Sequence, residues 1–111
     1  MALKQVRIES KKIREAAKGE DCTLNIAGVC NYDSSTVVLT HLPDESHGMS
    51  RKSDDISACF SCSNCHDVID RRVVNEQFEQ DREWYLRRAM VRTWRRLIEM
   101  QIVSIKDVKI D

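Results

Sequence analysis

The sequence has no long hydrophobic run and no excess of charge of either sign. Its 111 residues include 18 basic and 18 acidic side chains, which gives a formal net charge of zero. A uniformly basic surface is therefore excluded, so any contact with nucleic acid has to come from local patches. No stretch is typical of a membrane span or a secretion signal, so we expect a cytoplasmic protein.

Aromatic residues are also scarce, at 5%, but the hydrophobic fraction of 41% is ordinary for a globular protein. The length predicts a single domain over residues 1–111. A chain of this length can bury only a modest core, so a cross-link, such as a disulfide or a structural metal ion, would help it to fold. The sequence has five cysteines. In a reducing compartment an odd number of cysteines favours metal ligands over disulfides.

Local patterns predict an α+β protein with a short N-terminal helix and a long C-terminal helix. The predicted elements are a helix over 9–18, strands over 36–40 and 56–60, helices over 64–71 and 75–101, and an edge strand over 102–110. Ser10 and Asn75 are suitable N-caps, and Gly19 is placed to end the first helix. The two predicted strands are joined by a polar loop and form a hairpin.

The pair Cys62 and Cys65 is the strongest signal in the sequence, because two intervening residues let both sulfurs face one cation. Cys22 and Cys30 lie upstream, and a loop could bring them to the same place. Four thiolates would form a closed Zn²⁺ site that contributes on the order of 10 kcal/mol to folding. Alternatively, Cys22 and Cys30 are small buried apolar side chains. Cys59 is interpreted as a buried free thiol, or as a substitute for one of these two ligands.

Two of the three histidines lie at the ends of predicted elements. His41 directly follows a strand, and His66 follows Cys65 at the start of a helix. If the four cysteines share one zinc ion, the two imidazoles face each other across a strand–helix junction. A neutral imidazole can take a proton from water, while a divalent cation held by the other imidazole and a carboxylate polarises a phosphate. This arrangement would suit phosphodiester hydrolysis. His47 has no comparable context.

Asp70 lies four residues after His66 on the same helix face, so the two side chains could hold one ion. From the residues alone, we prefer to interpret Asp70 as a surface carboxylate that pairs with a nearby arginine. Asp54, Asp55 and Asp67 are the other carboxylates near this place.

A histidine after a strand, a polar loop, and then Cys62-x-x-Cys65-His66 resembles the zinc-containing HNH endonucleases of the His-Me finger superfamily. The segments Gly28-Val29-Cys30-Asn31, His41-Leu42 and 62–72 are similar to the YbcO-like nucleases of phages and prophages. This resemblance covers nearly the whole chain beyond about residue 13. It implies a zinc-stapled ββα-metal core over about 20–72, and a metal-dependent endonuclease that cleaves DNA in recombination or repair. It also makes a host recombination protein a candidate partner.

Carried over by position, the resemblance makes His41 the general base and His66 a ligand of a catalytic Mg²⁺ or Mn²⁺ ion. It makes the cysteines at 22, 30, 62 and 65 structural zinc ligands. Two positions depart from the pattern. Thr40 stands where the superfamily often has a metal-binding His or Asp, and Asp55 is the nearest counterpart of its usual Asn. Asp70, and after it Asp55, are the candidates for the remaining metal ligands.

Several basic side chains are candidates for contacts with DNA phosphates, which receive most positioning hydrogen bonds in such complexes. The candidates are Arg71, Arg72, Lys52, Arg88 and Arg92. Each of them alone can equally be a solvated surface charge. Their abundance on the C-terminal side, where acids are few, favours a local basic patch.

Two other functions fit parts of the pattern. A non-catalytic zinc-ribbon module could bind DNA or a protein, with His66 merely supporting the zinc site. Such a module has no need for an imidazole at position 41, and this discriminates against it. A redox protein using Cys62 and Cys65 would lack its usual βαβ context and would leave the upstream cysteines unexplained.

Overall fold

The computed structural model describes residues 6–43 and 53–109. A two-stranded antiparallel sheet carries the helices, and this mixture confirms the predicted α+β class. The elements are α1 (Lys11–Ala16), a 3₁₀ turn (Ser34–Thr36), β1 (Val38–His41), β2 (Ala58–Ser61), α2 (Ser63–Ile69), α3 (Glu76–Gln80) and α4 (Arg82–Glu99). Val38 lies opposite Ser61 and His41 opposite Ala58, so α2 follows directly after the paired strands.

Local capping sets the ends of α1. The Ser10 hydroxyl accepts a hydrogen bond from the Ile13 N–H at 3.2 Å, which confirms the predicted N-cap. The helix begins later than the predicted range 9–18, because Glu9 precedes this cap. At the other end Gly19 has φ +79°, in the left-handed region that glycine adopts without strain.

Both strands begin two residues later than the ranges 36–40 and 56–60. Asp33 accepts a hydrogen bond from the Ser35 N–H at 3.0 Å and so caps a 3₁₀ turn that includes Thr36. In the second strand, the Ser57 N–H donates to the Asp54 carbonyl at 2.9 Å, which places Ile56 in a turn. Local hydrogen bonds, one to a side chain and one within the backbone, thus take residues of high β propensity out of the sheet.

The long helix predicted over 75–101 is interrupted. The Asn75 side chain accepts from the Phe78 N–H at 2.8 Å, as an N-cap should, and α3 begins there. Asp81 then leaves the helical conformation with ψ +18°, and α4 starts after it. The break leaves the Phe78 ring 5.4 Å from the Tyr85 ring, centroid to centroid, at the edge of the core.

The inner face of α4 packs on β2. Leu86, Ala89 and Leu97 are buried there, together with the fully buried Phe60 of the strand. The Thr93 hydroxyl lies in the same layer and accepts from the Phe60 N–H at 3.3 Å. α4 therefore covers the sheet with one face and leaves the opposite face outside.

The edge strand predicted over 102–110 is wrong for its described part, since residues 102–109 form turns. The N–H groups of Ile102 and Val103 donate to the Leu97 carbonyl at 3.0 and 3.2 Å. Gln101, just after α4, has φ +60° and is in the left-handed conformation that commonly ends an α-helix. The turn that follows uses the N–H groups that a strand would need. Similarly, Arg71 with φ +59° ends α2 earlier than the predicted 64–71. No helix in the described ranges combines the length and apolarity required to cross a bilayer.

Candidate metal centre and active site

The four cysteines singled out from their spacing lie together. The sulfurs of Cys22, Cys30, Cys62 and Cys65 are all within 4.8 Å of one another, a group that could hold a metal ion. Cys62 is the N-cap of α2 and accepts from the Cys65 N–H at 3.4 Å, so the helix start presents both sulfurs to one point. The loop between α1 and β1 supplies the other pair. The prediction that these four side chains meet is confirmed.

Backbone amides point at the sulfurs. The N–H groups of Asn25 and Cys62 both donate to the Cys22 sulfur at 3.3 Å, and the Ile26 N–H donates to Cys65 at 3.4 Å. Such donors stabilise thiolates, the form in which cysteine binds metal. A soft donor set with amide support is consistent with structural zinc.

The cysteines of the cluster differ in the direction of their pKa shifts. A hydrogen bond from the Cys65 thiol lowers the pKa of Cys22 to about 5, assisted against burial by the amide donors. Donating that hydrogen bond raises the pKa of Cys65. Burial raises the pKa of Cys30 to about 11. Without a cation the cluster thus favours one thiolate, at Cys22, and a divalent cation would favour the thiolate form of the other cysteines as well.

Cys59 lies outside the cluster. It is fully buried in β2, opposite Thr40, and burial raises the pKa of its thiol. Of the two interpretations open from the sequence, the buried free thiol agrees with this position.

His41 is the last residue of β1 and is bound to a buried carboxylate. Its Nε2 lies 2.7 Å from Oδ1 of Asp55, whose side chain is fully buried, while the imidazole is 24% exposed. Burial alone would raise the pKa of Asp55, but hydrogen bonds from His41 and from the Ser10 N–H, with the charge of Arg7, lower it. Asp55 is therefore ionised, and an ionised carboxylate accepts the proton of Nε2. This leaves Nδ1 as the nitrogen with a free lone pair.

The other contacts of Asp55 come from the segment before α1. The Ser10 N–H donates to Oδ2 at 2.7 Å, the Arg7 guanidinium donates to Oδ1 at 3.2 Å, and Arg14 lies 3.6 Å from Oδ2. Both oxygens of Asp55 are thus occupied by protein donors. A carboxylate in this state holds the His41 ring in place and has no free side for a metal ion.

Arg7 is a functional candidate that the sequence did not reveal. Two hydrogen bonds of 2.9 Å join the segment before α1 to the loop before β2. The Asp55 N–H donates to the Ile8 carbonyl, and the Ile8 N–H donates to the Asp54 carboxylate. The guanidinium of Arg7 consequently lies 3.3 Å from Nε2 of His41. In the sequence, Arg7 is only one of several basic residues near the N-terminal end. Arg7 pairs with the neighbouring Glu9, but its partners in the site, His41 and Asp55, are more than 30 positions away, and no local pattern indicates them.

His66 and Asp70 pair on the surface of α2. Nε2 of His66 lies 3.0 Å from Oδ2 of Asp70, as expected for residues four apart on one face. Arg72 also donates to Asp70 at 3.1 Å and to Asp67 at 2.9 Å. Asp70 thus contacts both a histidine and an arginine, the two kinds of partner that the sequence suggested for it. Within the described ranges no hydrogen bond joins His66 to His41, and their facing arrangement stays a prediction.

The buried position of Thr40 explains why this residue differs from the pattern of the superfamily that the sequence resembles. Its side chain is 2% exposed and its hydroxyl is hydrogen-bonded to the Ser61 hydroxyl across the hairpin. The residue before His41 therefore points into the core, where a charged metal ligand would be buried at high cost.

The arginines selected as phosphate ligands differ in their surroundings. Arg71 donates to Glu79 at 2.7 Å, and this hydrogen bond lowers the pKa of Glu79. Arg88 donates to the carbonyls of Leu24 and Asn25 at 3.1 and 3.0 Å. Arg92 is exposed and pairs with no acid in the part of the chain that the structure describes. Lys52 lies outside the described residues.

The fold and the cysteine cluster together define a small α+β protein that could hold a metal ion. The chain belongs to the YbcO family: the family model described as "Putative nuclease YbcO" matches residues 11–102. Arg7 precedes the matched range.

Individual relatives come from a bacterium and a phage. The chain is 44% identical over 61 residues to "Putative nuclease YbcO" of Escherichia coli (strain K12), a match covering 54% of this chain and 64% of the relative. A protein of Enterobacteria phage 82 with the same description gives the same identity and coverage. A solved structure, titled "Structure of a putative bacteriophage protein from Escherichia coli str. K-12 substr. MG1655", is 31% identical. It aligns with a TM-score of 0.58 over 81% of this chain and 100% of its own.

Proposed function

We propose that this protein is a metal-dependent endonuclease of the HNH type that hydrolyses DNA phosphodiester bonds. The observation that carries the proposal is the pair His41–Asp55, an imidazole held at one nitrogen by a buried carboxylate at 2.7 Å. The nuclease name of the family and the order strand, strand, helix support it. The proposed domain spans residues 1–111, with the ββα-metal core over about 20–72.

His41 acts as the general base. Because Asp55 accepts the proton of Nε2, the lone pair of Nδ1 is available to take a proton from the attacking water. The resulting imidazolium is stabilised by the Asp55 carboxylate, which remains ionised. Asp55 is thus a positioning residue that works through His41. We propose this positioning role in place of the role of metal ligand, for which the resemblance made Asp55 a candidate.

His66 and Asp70 would hold the catalytic Mg²⁺ or Mn²⁺ ion. When bound, the ion polarises the phosphate and stabilises the leaving oxygen. The pair supplies two ligand side chains, which is sufficient for a hard cation that keeps several waters and binds phosphate oxygens. To bind the ion, Asp70 has to exchange the hydrogen bond that it accepts from Arg72.

The cysteine cluster supplies the rigid support for this site. Cys22, Cys30, Cys62 and Cys65 would hold a Zn²⁺ ion that joins the loop before β1 to the start of α2, next to His66. DNA phosphates bind basic side chains, namely Arg71, Arg72, Lys52, Arg88 and Arg92. We place the reaction in the bacterial cytoplasm, in recombination or repair, with a host recombination protein as partner.

The deciding experiment is a cleavage assay on supercoiled plasmid and on single-stranded circles, with Mg²⁺, Mn²⁺ or EDTA. His41→Ala is expected to lower the rate by about 10²-fold or more, at unchanged zinc content. His47→Ala is the matched control, since the mechanism gives this histidine no role. Equal cleavage by wild type and His41→Ala would overturn the general-base assignment. Zinc-loaded wild type that binds DNA and never cuts it would favour the non-catalytic module.

A further inference from the structure

The outward face of α4 carries large apolar side chains that the core does not use. Trp84 is 59% exposed and Val91 is 52% exposed, and both lie on the side of the helix opposite the buried Leu86, Ala89 and Leu97. Seven residues apart, they fall on the same stripe. With three arginines of the same helix they line a shallow depression of about 400 Å³. We name this the Trp84 surface; its residues are Trp84, Arg87, Arg88, Val91 and Arg92.

The indole of Trp84 is held in one orientation. Its ring meets the Tyr85 ring edge-on, with centroids 5.1 Å apart, and the Tyr85 hydroxyl accepts from the Ala27 N–H at 3.3 Å. The Arg88 guanidinium lies over the indole, 4.6 Å from its centroid, and is itself anchored on loop carbonyls. Although Arg88 lies over the ring, Trp84 is still more than half exposed and so leaves area for a ligand. Binding there requires little ordering of the protein.

From Trp84 as far as Ile98 the helix carries charge of one sign, although Glu83 directly precedes the ring. Residues 84–98 include five arginines and no acid. Arg96 pairs with Glu20, but within the described ranges Arg87 and Arg92 have no hydrogen bond or ion pair. Unpaired cations beside a fixed flat ring match the two parts of a nucleotide, its phosphate and its base. An acidic protein surface would use the cations and leave the ring without a partner.

We propose that the Trp84 surface binds single-stranded DNA, with an unpaired base stacked on Trp84 and phosphates on Arg87 and Arg92. In a duplex the faces of the bases are covered by their neighbours, so only unpaired bases can stack on the ring. The inference rests on the proposed function, and it narrows the substrate to DNA that has an unpaired segment.

The test is the affinity of the zinc-loaded protein for fluorescein-labelled oligo(dT) and for a duplex of equal length, without added Mg²⁺ or Mn²⁺. Trp84→Ala is expected to weaken binding of oligo(dT) about ten-fold, the usual effect of losing one stacked base. Its affinity for the duplex is expected to be unchanged. Trp84→Phe keeps a ring and is expected to retain most of the affinity, while the quenching of tryptophan fluorescence by oligo(dT) is lost. Tyr32→Ala, which removes another exposed aromatic, is the matched control.

Wild-type affinity for oligo(dT) in Trp84→Ala would overturn the inference, and so would an equal loss for both DNAs. Failure of the wild type to bind oligo(dT) would also overturn it and would favour an acidic protein partner. The binding assay needs no cleavage, so its outcome is separable from that of the nuclease proposal.

Discussion

At the scale of single residues, the site depends on a carboxylate that is buried and yet ionised. Asp55 receives hydrogen bonds from His41, from the Ser10 N–H and from Arg7, and these outweigh the effect of burial on its pKa. The same contacts that hold the imidazole therefore also make the folded state sensitive to pH.

We expect Asp55 to stabilise the folded state above pH 4 and to lose this contribution on acidification. Its folded pKa lies below the usual value of about 3.9, so the unfolded chain takes up the proton first as the pH falls. Asp55→Asn should be less stable than wild type by about 1–3 kcal/mol at neutral pH. Urea unfolding at several pH values measures this difference, which should shrink as the pH falls through the folded pKa. A difference independent of pH would contradict the assignment of charge to Asp55.

Arg7→Ala is expected to lower cleavage by an order of magnitude or so and to leave zinc content unchanged, since Arg7 acts through Asp55 on His41. The effect should appear in kcat rather than KM, because a positioning residue does not touch the substrate. Arg7→Lys should restore part of the rate, since it returns the charge without the planar fork. Lys11→Ala, which removes an exposed cation from α1, is the control. A rise in KM alone would instead assign Arg7 to DNA binding.

The sequence singled out His41 and Asp55 as candidate site residues, but the contacts that join them to each other and to Arg7 could not be predicted. The cysteine pairs follow a spacing rule, and the cluster at Cys62 and Cys65 was therefore predictable. By contrast, Arg7 and Asp55 are 48 positions apart and belong to no motif. Only the folded chain shows that the segment before α1 crosses the loop before β2.

At the scale of elements, capping decided which boundaries could be predicted. Ser10 and Asn75 carry their own N-cap signals, and both helices begin there. The strands begin two residues late because Asp33 and Asp54 close turns that compete with the sheet. The last predicted strand failed because Gln101 turns the chain back onto the end of α4. Hydrophobic pattern alone contains none of this information.

The docking of α4 on β2 depends on a buried hydroxyl. Thr93 accepts from the Phe60 N–H at 3.3 Å and is hydrogen-bonded to the Thr23 hydroxyl at 2.7 Å. Thr93→Val keeps the volume and removes these bonds, so we expect a loss of about 1–3 kcal/mol in the free energy of unfolding. Val91→Thr, on the exposed face of the same helix, should change stability by less than about 0.5 kcal/mol. Urea denaturation of both variants measures this, and equal stabilities would contradict the role of Thr93.

At the scale of the whole molecule, the question is what holds together a chain with so small a core. The two short strands and four helices of the described residues leave little apolar surface to bury. The cysteine cluster joins the loop before β1 to α2, the two parts of the chain that flank the hairpin. A metal ion there would hold these two parts of the chain together at the edge of the core.

We therefore expect the fold to depend on zinc. Binding of Zn²⁺ to four thiolates contributes on the order of 10 kcal/mol, which is comparable to the whole stability of a domain of this size. Cys62→Ser should lose zinc and the cooperative thermal transition together, and a strong chelator should have the same effect on wild type. Cys59→Ala is the matched control. It removes a buried thiol outside the cluster, so it should keep one zinc per chain and lose only about 1 kcal/mol. Elemental analysis and thermal unfolding followed by circular dichroism measure both variants. A folded, metal-free Cys62→Ser protein would mean that the sulfurs are core side chains and that packing alone holds the hairpin to α2.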